Sequence, residues 1–191
     1  MRIIAGEMRG RTFAAPEGEG TRPTTDRVRE SLMSSVYSAR GGFDGAMVLD
    51  AFAGSGALGF EALSRGAARA VFYERDPKAF KTLSANARKL GLESRQATLT
   101  KGDIMARPPV FSRPAFDLVF LDPPYAYEAD DVLGMIAGLV SRNVVSPEAL
   151  IVYEHAIESN EQAADAAAAH GFSLAQRKKY GDTVVDTLTV A

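Results

Sequence analysis

The sequence predicts an α/β fold: one open, mostly parallel sheet with helices on both faces. Three observations carry this expectation. From Ala46 onward, short apolar runs alternate with amphipathic stretches, the βαβα pattern of a layered sheet. Phe116–Leu121 is nearly continuously apolar, as in a strand buried on both faces. The chain has 191 residues, 46% hydrophobic and 24% charged, which suits one domain with a sizeable core.

The elements follow in order. Met1–Ile4 and Arg11–Phe13 are expected as short strands around a turn at Gly6–Gly10. Pro16–Gly20 reads as a loop, and Thr25 or Asp26 as the cap of a helix reaching about Ser38. Gly41, Gly42 and Gly45 mark a break. Met47–Asp50 is a strand and Ala57–Arg65 a helix stopped by Gly66. Ala70–Glu74 is a strand. Pro77–Leu90 carries Phe80, Leu83, Ala87 and Leu90 as a helical stripe, with Pro77 in the favoured first turn. Ala97–Lys101 is a weaker strand, and Phe116–Leu121 the buried one. Val132–Val140 is a helix, Leu150–Tyr153 a strand and Glu158–His170 an Ala-rich helix. Ser173–Arg177 and Thr183–Val190 close the chain as strands around a turn at Gly181-Asp182.

Composition excludes several classes. With no cysteine, disulfides, thiolate metal sites and cysteine nucleophiles are impossible. No His/Asp cluster accompanies His155 or His170, so no metal site is expected. His155 reads as structural, and His170 as a cation at a helix end. No window of about 18 apolar residues suggests a membrane span. The N-terminus lacks the apolar run of a secretory signal, so a cytoplasmic protein is expected. The net charge is -2, yet residues 1–40 carry seven arginines, no lysine and five acids. Arg9, Arg11, Arg22 and Arg27 in this segment suit phosphate contacts, which position a nucleic acid without reading its sequence.

Open parallel sheets bind ligands at the carboxyl ends of their strands. There the sequence reads Asp50-Ala-Phe-Ala-Gly-Ser-Gly56. Gly54 and Gly56 let the backbone turn tightly and lie close to a ligand, and the next helix offers free N–H groups. Gly54, Gly56 and Gly59 formally satisfy G-x-G-x-x-G, but Asp50 precedes them. A carboxylate is a poor neighbour for a pyrophosphate and a good one for an ammonium or a hydroxyl. S-adenosylmethionine has a sulfonium, an ammonium and no phosphate, so it is the expected cofactor. Glu74 ends the next strand, placed to accept two ribose hydroxyls. Asp103, after the third strand, can accept from the adenine amine.

Asp122-Pro123-Pro124-Tyr125 follows the most hydrophobic strand. The prolines fix two φ angles and remove two N–H groups, so the Pro123 carbonyl is held as an acceptor. Asp122 is a second acceptor, and Tyr125 offers a ring and a hydroxyl. The set suits an exocyclic amine on a planar base. Hydrogen bonds to both N–H groups favour a pyramidal nitrogen, whose lone pair can attack a methyl carbon in line with the sulfonium. Positioning and electrostatics would then supply most of the catalysis.

Asp50–Gly56 together with Asp122–Tyr125 resembles the class I S-adenosylmethionine-dependent amino-methyltransferases. Arg22-Pro-Thr-Thr-Asp-Arg-Val-Arg-Glu, Asp50-Ala-Phe-Ala-Gly-Ser-Gly-Ala-Leu-Gly with Glu61-Ala-Leu-Ser-Arg-Gly, and Leu121-Asp-Pro-Pro-Tyr narrow this further. Over nearly the whole chain the sequence is similar to the bacterial 16S ribosomal RNA guanine-N2 methyltransferase family. The resemblance implies a Rossmann-like, seven-stranded sheet (residues 41–191) with a small N-terminal hairpin-and-helix extension (residues 1–40). It implies methylation of N2 of a guanine in 16S rRNA, on an assembled or assembling small ribosomal subunit. The small basic surface predicts that ribosomal proteins help present the target, and a monomer with no membrane partner is expected. The target base must leave its stack or already be unpaired. Carried over by position, Asp50, Phe52, Gly54 and Gly56 line the cofactor, Glu74 holds the ribose and Asp103 the adenine. Asp122, Pro123 and Tyr125 handle the guanine. Arg22, Pro23 and Thr24 cover the site, with Thr24 against the cofactor.

Four rivals are weaker. An adenine-N6 DNA methyltransferase shares the tetrapeptide, but this chain has no length for a separate target-reading domain. A glutamine methyltransferase of release factors resembles an Asn-Pro-Pro-Tyr version. A non-catalytic module binding the cofactor or RNA would not need the intact acceptor site. A dinucleotide oxidoreductase would set Asp50 and Asp122 against phosphates.

Overall fold

The computed structural model of the protein describes residues 1–15, 26–124 and 126–191. Among them lie seven strands: β1 (Met47–Asp50), β2 (Arg69–Glu74), β3 (Ala97–Lys101), β4 (Phe116–Leu121), β5 (Val145–Ala156), β6 (Phe172–Tyr180) and β7 (Thr183–Val190). The helices are α1 (Asp26–Arg40), α2 (Ala57–Ser64), α3 (Pro77–Lys89), α4 (Ala129–Ser141) and α5 (Asn160–Ala169). One sheet holds all seven strands in the order β3-β2-β1-β4-β5-β7-β6. β1 to β5 run parallel, and β7 is antiparallel to both its neighbours. The strand order reverses between β1 and β4, the place where open sheets leave a ligand crevice at their carboxyl ends.

Alternation along the strands builds two apolar layers. Val48, Phe72, Leu118, Phe120 and Val152 pack with Leu32, Met33 and Val36 of α1, Phe60 of α2 and Leu83 of α3. Leu49, Val119, Leu121, Ile151 and Tyr153 pack with Val132, Leu133 and Ile136 of α4 and Ala163 and Ala166 of α5. Both faces are covered, which is why β4 reads as a nearly unbroken apolar run. α3 starts at Asp76, whose carboxylate accepts from Lys78 N (2.9 Å) and Ala79 N (2.8 Å), with Pro77 next. Such a cap contributes about 1 kcal/mol.

Several expected boundaries shift. β5 is twelve residues long rather than Leu150–Tyr153 alone. Its pairing with β4 slips between Phe116 and Leu118, and Pro147, which lacks an N–H for the ladder, sits in the bulged stretch. The final Ala-rich helix is a 3-10 turn, Ile157–Ser159, followed by α5. The N-terminal strands reduce to one antiparallel bridge, Arg2 with Thr12, braced by Ile3 N to Arg11 O (2.9 Å) and Phe13 N to Met1 O (3.0 Å). The loop expected at Pro16–Gly20 and the cap at Thr25 lie outside the described residues.

The N-terminal segment is bolted to α2 through a buried charged joint. Glu61 Oε1 accepts from Ile4 N (2.6 Å) and lies 3.5 Å from Arg29 Nε. Arg29 Nη2 donates to Arg2 O (2.7 Å) and Asp26 Oδ1 (2.9 Å). Ser64 Oγ donates to Ala5 O (2.6 Å) and accepts from Met8 N (2.9 Å). Arg29 and Glu61 are fully buried. The Arg-rich and Glu61-Ala-Leu-Ser-Arg-Gly segments therefore meet as a structural hinge-pin in the fold. No described helix is long and apolar enough to cross a membrane.

Candidate active site

The glycine loop sits where the strand order reverses. β1 ends at Asp50, and Ala53 N donates to Tyr73 O of β2 (2.8 Å). Gly54 has φ +53° and Gly56 φ +86°, the left-handed region that only glycine enters freely. A side chain at Gly56 would sit 2.4 Å from Phe60 and 2.6 Å from Leu83, whereas one at Gly54 would stand in open space. Gly56 is thus required by packing against α2 and α3, and Gly54 leaves backbone bare to a ligand. Glu74 shapes the loop: Oε2 accepts from Gly54 N (2.8 Å), and Oε1 from Asp76 N (2.7 Å). Each of its oxygens retains a second acceptor site for a hydroxyl.

Asp50 is buried, and Oδ2 accepts from Gly59 N in the first turn of α2 (3.0 Å). Burial pushes its carboxyl up to about 7, opposed by that hydrogen bond and reinforced by the charges of Asp122 and Glu74. A carboxyl tied to the first turn of α2 fixes the angle at which the loop leaves β1.

A second wall forms around Asp103. Its Oδ1 accepts from Met105 N (2.9 Å) and its Oδ2 from the Tyr127 hydroxyl (2.8 Å). Arg75 Nη1 bonds the same hydroxyl, and its guanidinium lies 5.0 Å from the Tyr127 ring centroid. The rings of Phe52 and Tyr127 are 5.8 Å apart at 43°. Burial and the bond to Asp103 raise the Tyr127 hydroxyl above its ordinary pKa. Tyr127 and Arg75 are site residues that sequence reasoning missed. Tyr127 lies two residues beyond the tetrapeptide, but its meeting with Asp103 is a tertiary contact without a local signal.

Asp122 and Pro123 follow β4 directly. Asp122 is exposed, yet desolvation by the protein packed around it pushes its carboxyl up to about 6. Glu154, near the end of β5, was also missed; burial and the charge of Asp122 raise it to about 8. Two strands ending apolar-then-acid, Leu121-Asp122 and Tyr153-Glu154, were the signal that could have found it.

The expected arginines separate into different settings. Arg9 and Arg27 are exposed. Arg11 donates to Leu90 O (2.8 Å) and Lys89 O (2.9 Å), closing the end of α3. Arg22, Pro23, Thr24 and Tyr125 lie outside the described residues. His155 is buried between Ala156 O (2.9 Å) and Asp186 Oδ2 (3.1 Å). Asp186 also accepts from Arg177 Nε (2.7 Å) and Nη2 (2.6 Å). His170 meets Asp130 Oδ1 (2.8 Å) on α4. Among the described residues, no three His, Asp or Glu side chains group as a metal site.

The conserved hypothetical protein 95 family matches residues 1–189. Ribosomal RNA small subunit methyltransferase D of Haemophilus influenzae is 39% identical over 162 residues, covering 81% of this chain and 78% of that one. Its Escherichia coli namesake is 38% identical over 160 residues, covering 83% and 76%. The chain belongs to this family. A solved methyltransferase structure from Escherichia coli is 32% identical with a TM-score of 0.76, covering 98% of this chain and 96% of that one. An RNA methyltransferase structure from Pyrococcus horikoshii, 17% identical with a TM-score of 0.75 over 94% and 93% of the two chains, shares the fold. The architecture is that of a class I methyltransferase, as the glycine loop and the tetrapeptide implied.

Proposed function

We propose that this methyltransferase family member transfers a methyl group from S-adenosylmethionine to the exocyclic N2 amine of a guanine in 16S rRNA. The observation that carries the reading is the placement of Asp122 and Pro123, an acceptor pair at the end of β4, directly across from the glycine loop of β1. The RNA half of the reading draws on the names of the Haemophilus and Escherichia relatives.

The residues fit the cofactor. Bare backbone at Gly54, the carboxylates of Glu74 and Asp103, and the rings of Phe52 and Tyr127 suit hydroxyls, amines and an adenine face. A row of acids does not suit a pyrophosphate. Glu74 would hold the ribose, Asp103 the adenine amine and Phe52 its face. Asp50 and Gly56 would set the loop, and Thr24 would close over the site. When bound, S-adenosylmethionine supplies an electrophilic methyl group.

Asp122 and the Pro123 carbonyl accept the two N–H groups of the target amine and turn its lone pair toward that methyl. The amine nitrogen would gain a bond to the methyl carbon as the carbon–sulfur bond of the sulfonium breaks, the electron pair leaving on sulfur as a neutral thioether, and the surplus proton would pass to the Asp122 carboxylate. A carboxyl raised to about 6 is basic enough to receive it and remains largely ionised near neutrality. Tyr125 stacks on the base. Arg9, Arg22 and Arg27 contact RNA phosphates from the extension, residues 1–40, while residues 41–191 carry the chemistry. Arg11 would join them only through donors that its α3 cap leaves over. The substrate is the small subunit, with ribosomal proteins beside the target, met by a monomer in the cytoplasm.

The test is Asp122→Ala. Methyl transfer to unmodified small subunits is expected to fall by at least about 100-fold, while calorimetric affinity for S-adenosylmethionine stays within about 3-fold. Equal loss of both would remove Asp122 from the chemistry.

A further inference from the structure

Glu154 lies on the far side of Asp122 from the cofactor loop. β1, β2 and β3, which carry the loop, Glu74 and Asp103, all lie to one side of β4, and β5 lies to the other. The β4–β5 register pairs Leu121 with Tyr153, so Glu154 stands beside Asp122, one strand spacing or about 4.8 Å away. Leu150 and Val152 face the α1–α3 layer, and alternation puts Glu154 on that face, where Val48 places Asp50 as well. The charge of Asp122 acts on both Asp50 and Glu154. Asp50 is satisfied by Gly59 N. The Glu154 side chain has neither a hydrogen bond nor an ion pair among the described residues, although it is largely enclosed at the rim of the site. Without donors a carboxylate so placed is costly, and the Glu154 carboxyl is accordingly raised to about 8.

A guanine edge brings those donors. Its N2 amine adjoins N1–H, so two donor groups stand side by side. Asp122 and the Pro123 carbonyl account for the amine, which leaves N1–H without an acceptor. We propose that Glu154 is a specificity-determining residue, its carboxylate accepting the N1–H of the target purine while Asp122 holds the N2 amine. This assignment rests on the function proposed above. It explains how the tetrapeptide, shared with enzymes that methylate adenine, is restricted here to guanine. Adenine presents a lone pair at N1, which the carboxylate repels where Glu154 is ionised, above about pH 8.

The experiment compares small subunits reconstituted with guanine or with 2,6-diaminopurine at the methylated position. The analogue keeps the N2 amine but has no hydrogen on N1. Single-turnover transfer of labelled methyl is followed with the wild-type chain, Glu154→Gln and Glu154→Ala. Assayed above about pH 8, where Glu154 is ionised, wild type should prefer guanine by about 10- to 100-fold. Glu154→Gln, whose amide can donate to the bare N1, should narrow that preference at least about 10-fold. Glu154→Ala should lose the preference without gaining activity on the analogue. Affinity for S-adenosylmethionine, measured by calorimetry, should stay within about 2-fold for both variants, since Glu154 lies away from the cofactor loop. Equal wild-type rates on the two substrates would overturn the assignment without recourse to any variant. So would an unchanged preference in Glu154→Gln. Failure of wild type on guanine subunits would instead overturn the methyltransferase reading, and this assignment with it.

Discussion

Glu61→Ala tests how the N-terminal segment is held. The substitution removes the acceptor of Ile4 N and strips the fully buried Arg29 and its neighbour Arg65 of their shared carboxylate. Breaking one partner of a buried pair costs about 3–5 kcal/mol, because the remaining charge stays in a low-dielectric setting. For a chain of this length each kcal/mol shifts the midpoint by about 2–4 °C. Thermal unfolding followed by circular dichroism should therefore show a midpoint lower by about 6–20 °C. Arg29→Met combined with Glu61→Leu should recover part of the loss, since an apolar pair of similar volume removes the desolvation cost. A fall of less than about 2 °C for Glu61→Ala would refute the claim that this joint anchors the extension.

Two further expectations concern arginine use and pH. Arg11→Ala should lower the unfolding midpoint through loss of the α3 cap, whereas Arg9→Ala and Arg27→Ala should leave it unchanged and weaken subunit binding with a shallower salt dependence. The reverse pattern in melting and filter binding would contradict the assignment. Asp50, Asp122 and Glu154 stand at about 7, about 6 and about 8 in the folded chain. Unfolded carboxyls ionise near pH 4. Between about pH 4 and about pH 8 the folded chain thus binds more protons, and its stability falls as pH rises. The midpoint of the cofactor-free protein should drop from about pH 5 to about pH 8, and Asp122→Asn and Glu154→Gln should each flatten that slope. An unchanged slope in both variants would show that the acids at this end of the sheet are not the source.

Much of the fold is legible because local signals agree with it. Pro77 after Asp76, Gly66 after α2 and the apolar run of β4 each mark an element on their own. The glycine loop is legible for the same reason: positive φ at Gly54 and Gly56 leaves a mark in residue type. What stays hidden depends on partners far apart in sequence. Arg11 reads as a phosphate contact until Leu90 O and Lys89 O appear 79 and 78 residues away. Arg29 and Glu61 read as family motif residues until they meet as a buried joint. Tyr127 carries no mark of Asp103, 24 residues upstream. β5 is longer than expected because its bulge at Pro147 absorbs a residue that usually ends a strand. Glu154 follows an apolar run as Asp122 does, but no proline or glycine motif marks it, and its meeting with Asp122 depends on the β4–β5 register.

The central claim is the reaction itself, and labelled methyl transfer tests it most directly. Small ribosomal subunits lacking their native modification are incubated with the protein and radiolabelled S-adenosylmethionine, and the RNA is digested to nucleosides. The account predicts label in N2-methylguanosine at a single site of 16S rRNA. Label in DNA, in protein or in N6-methyladenosine, or no label at all despite measured cofactor binding, would contradict it.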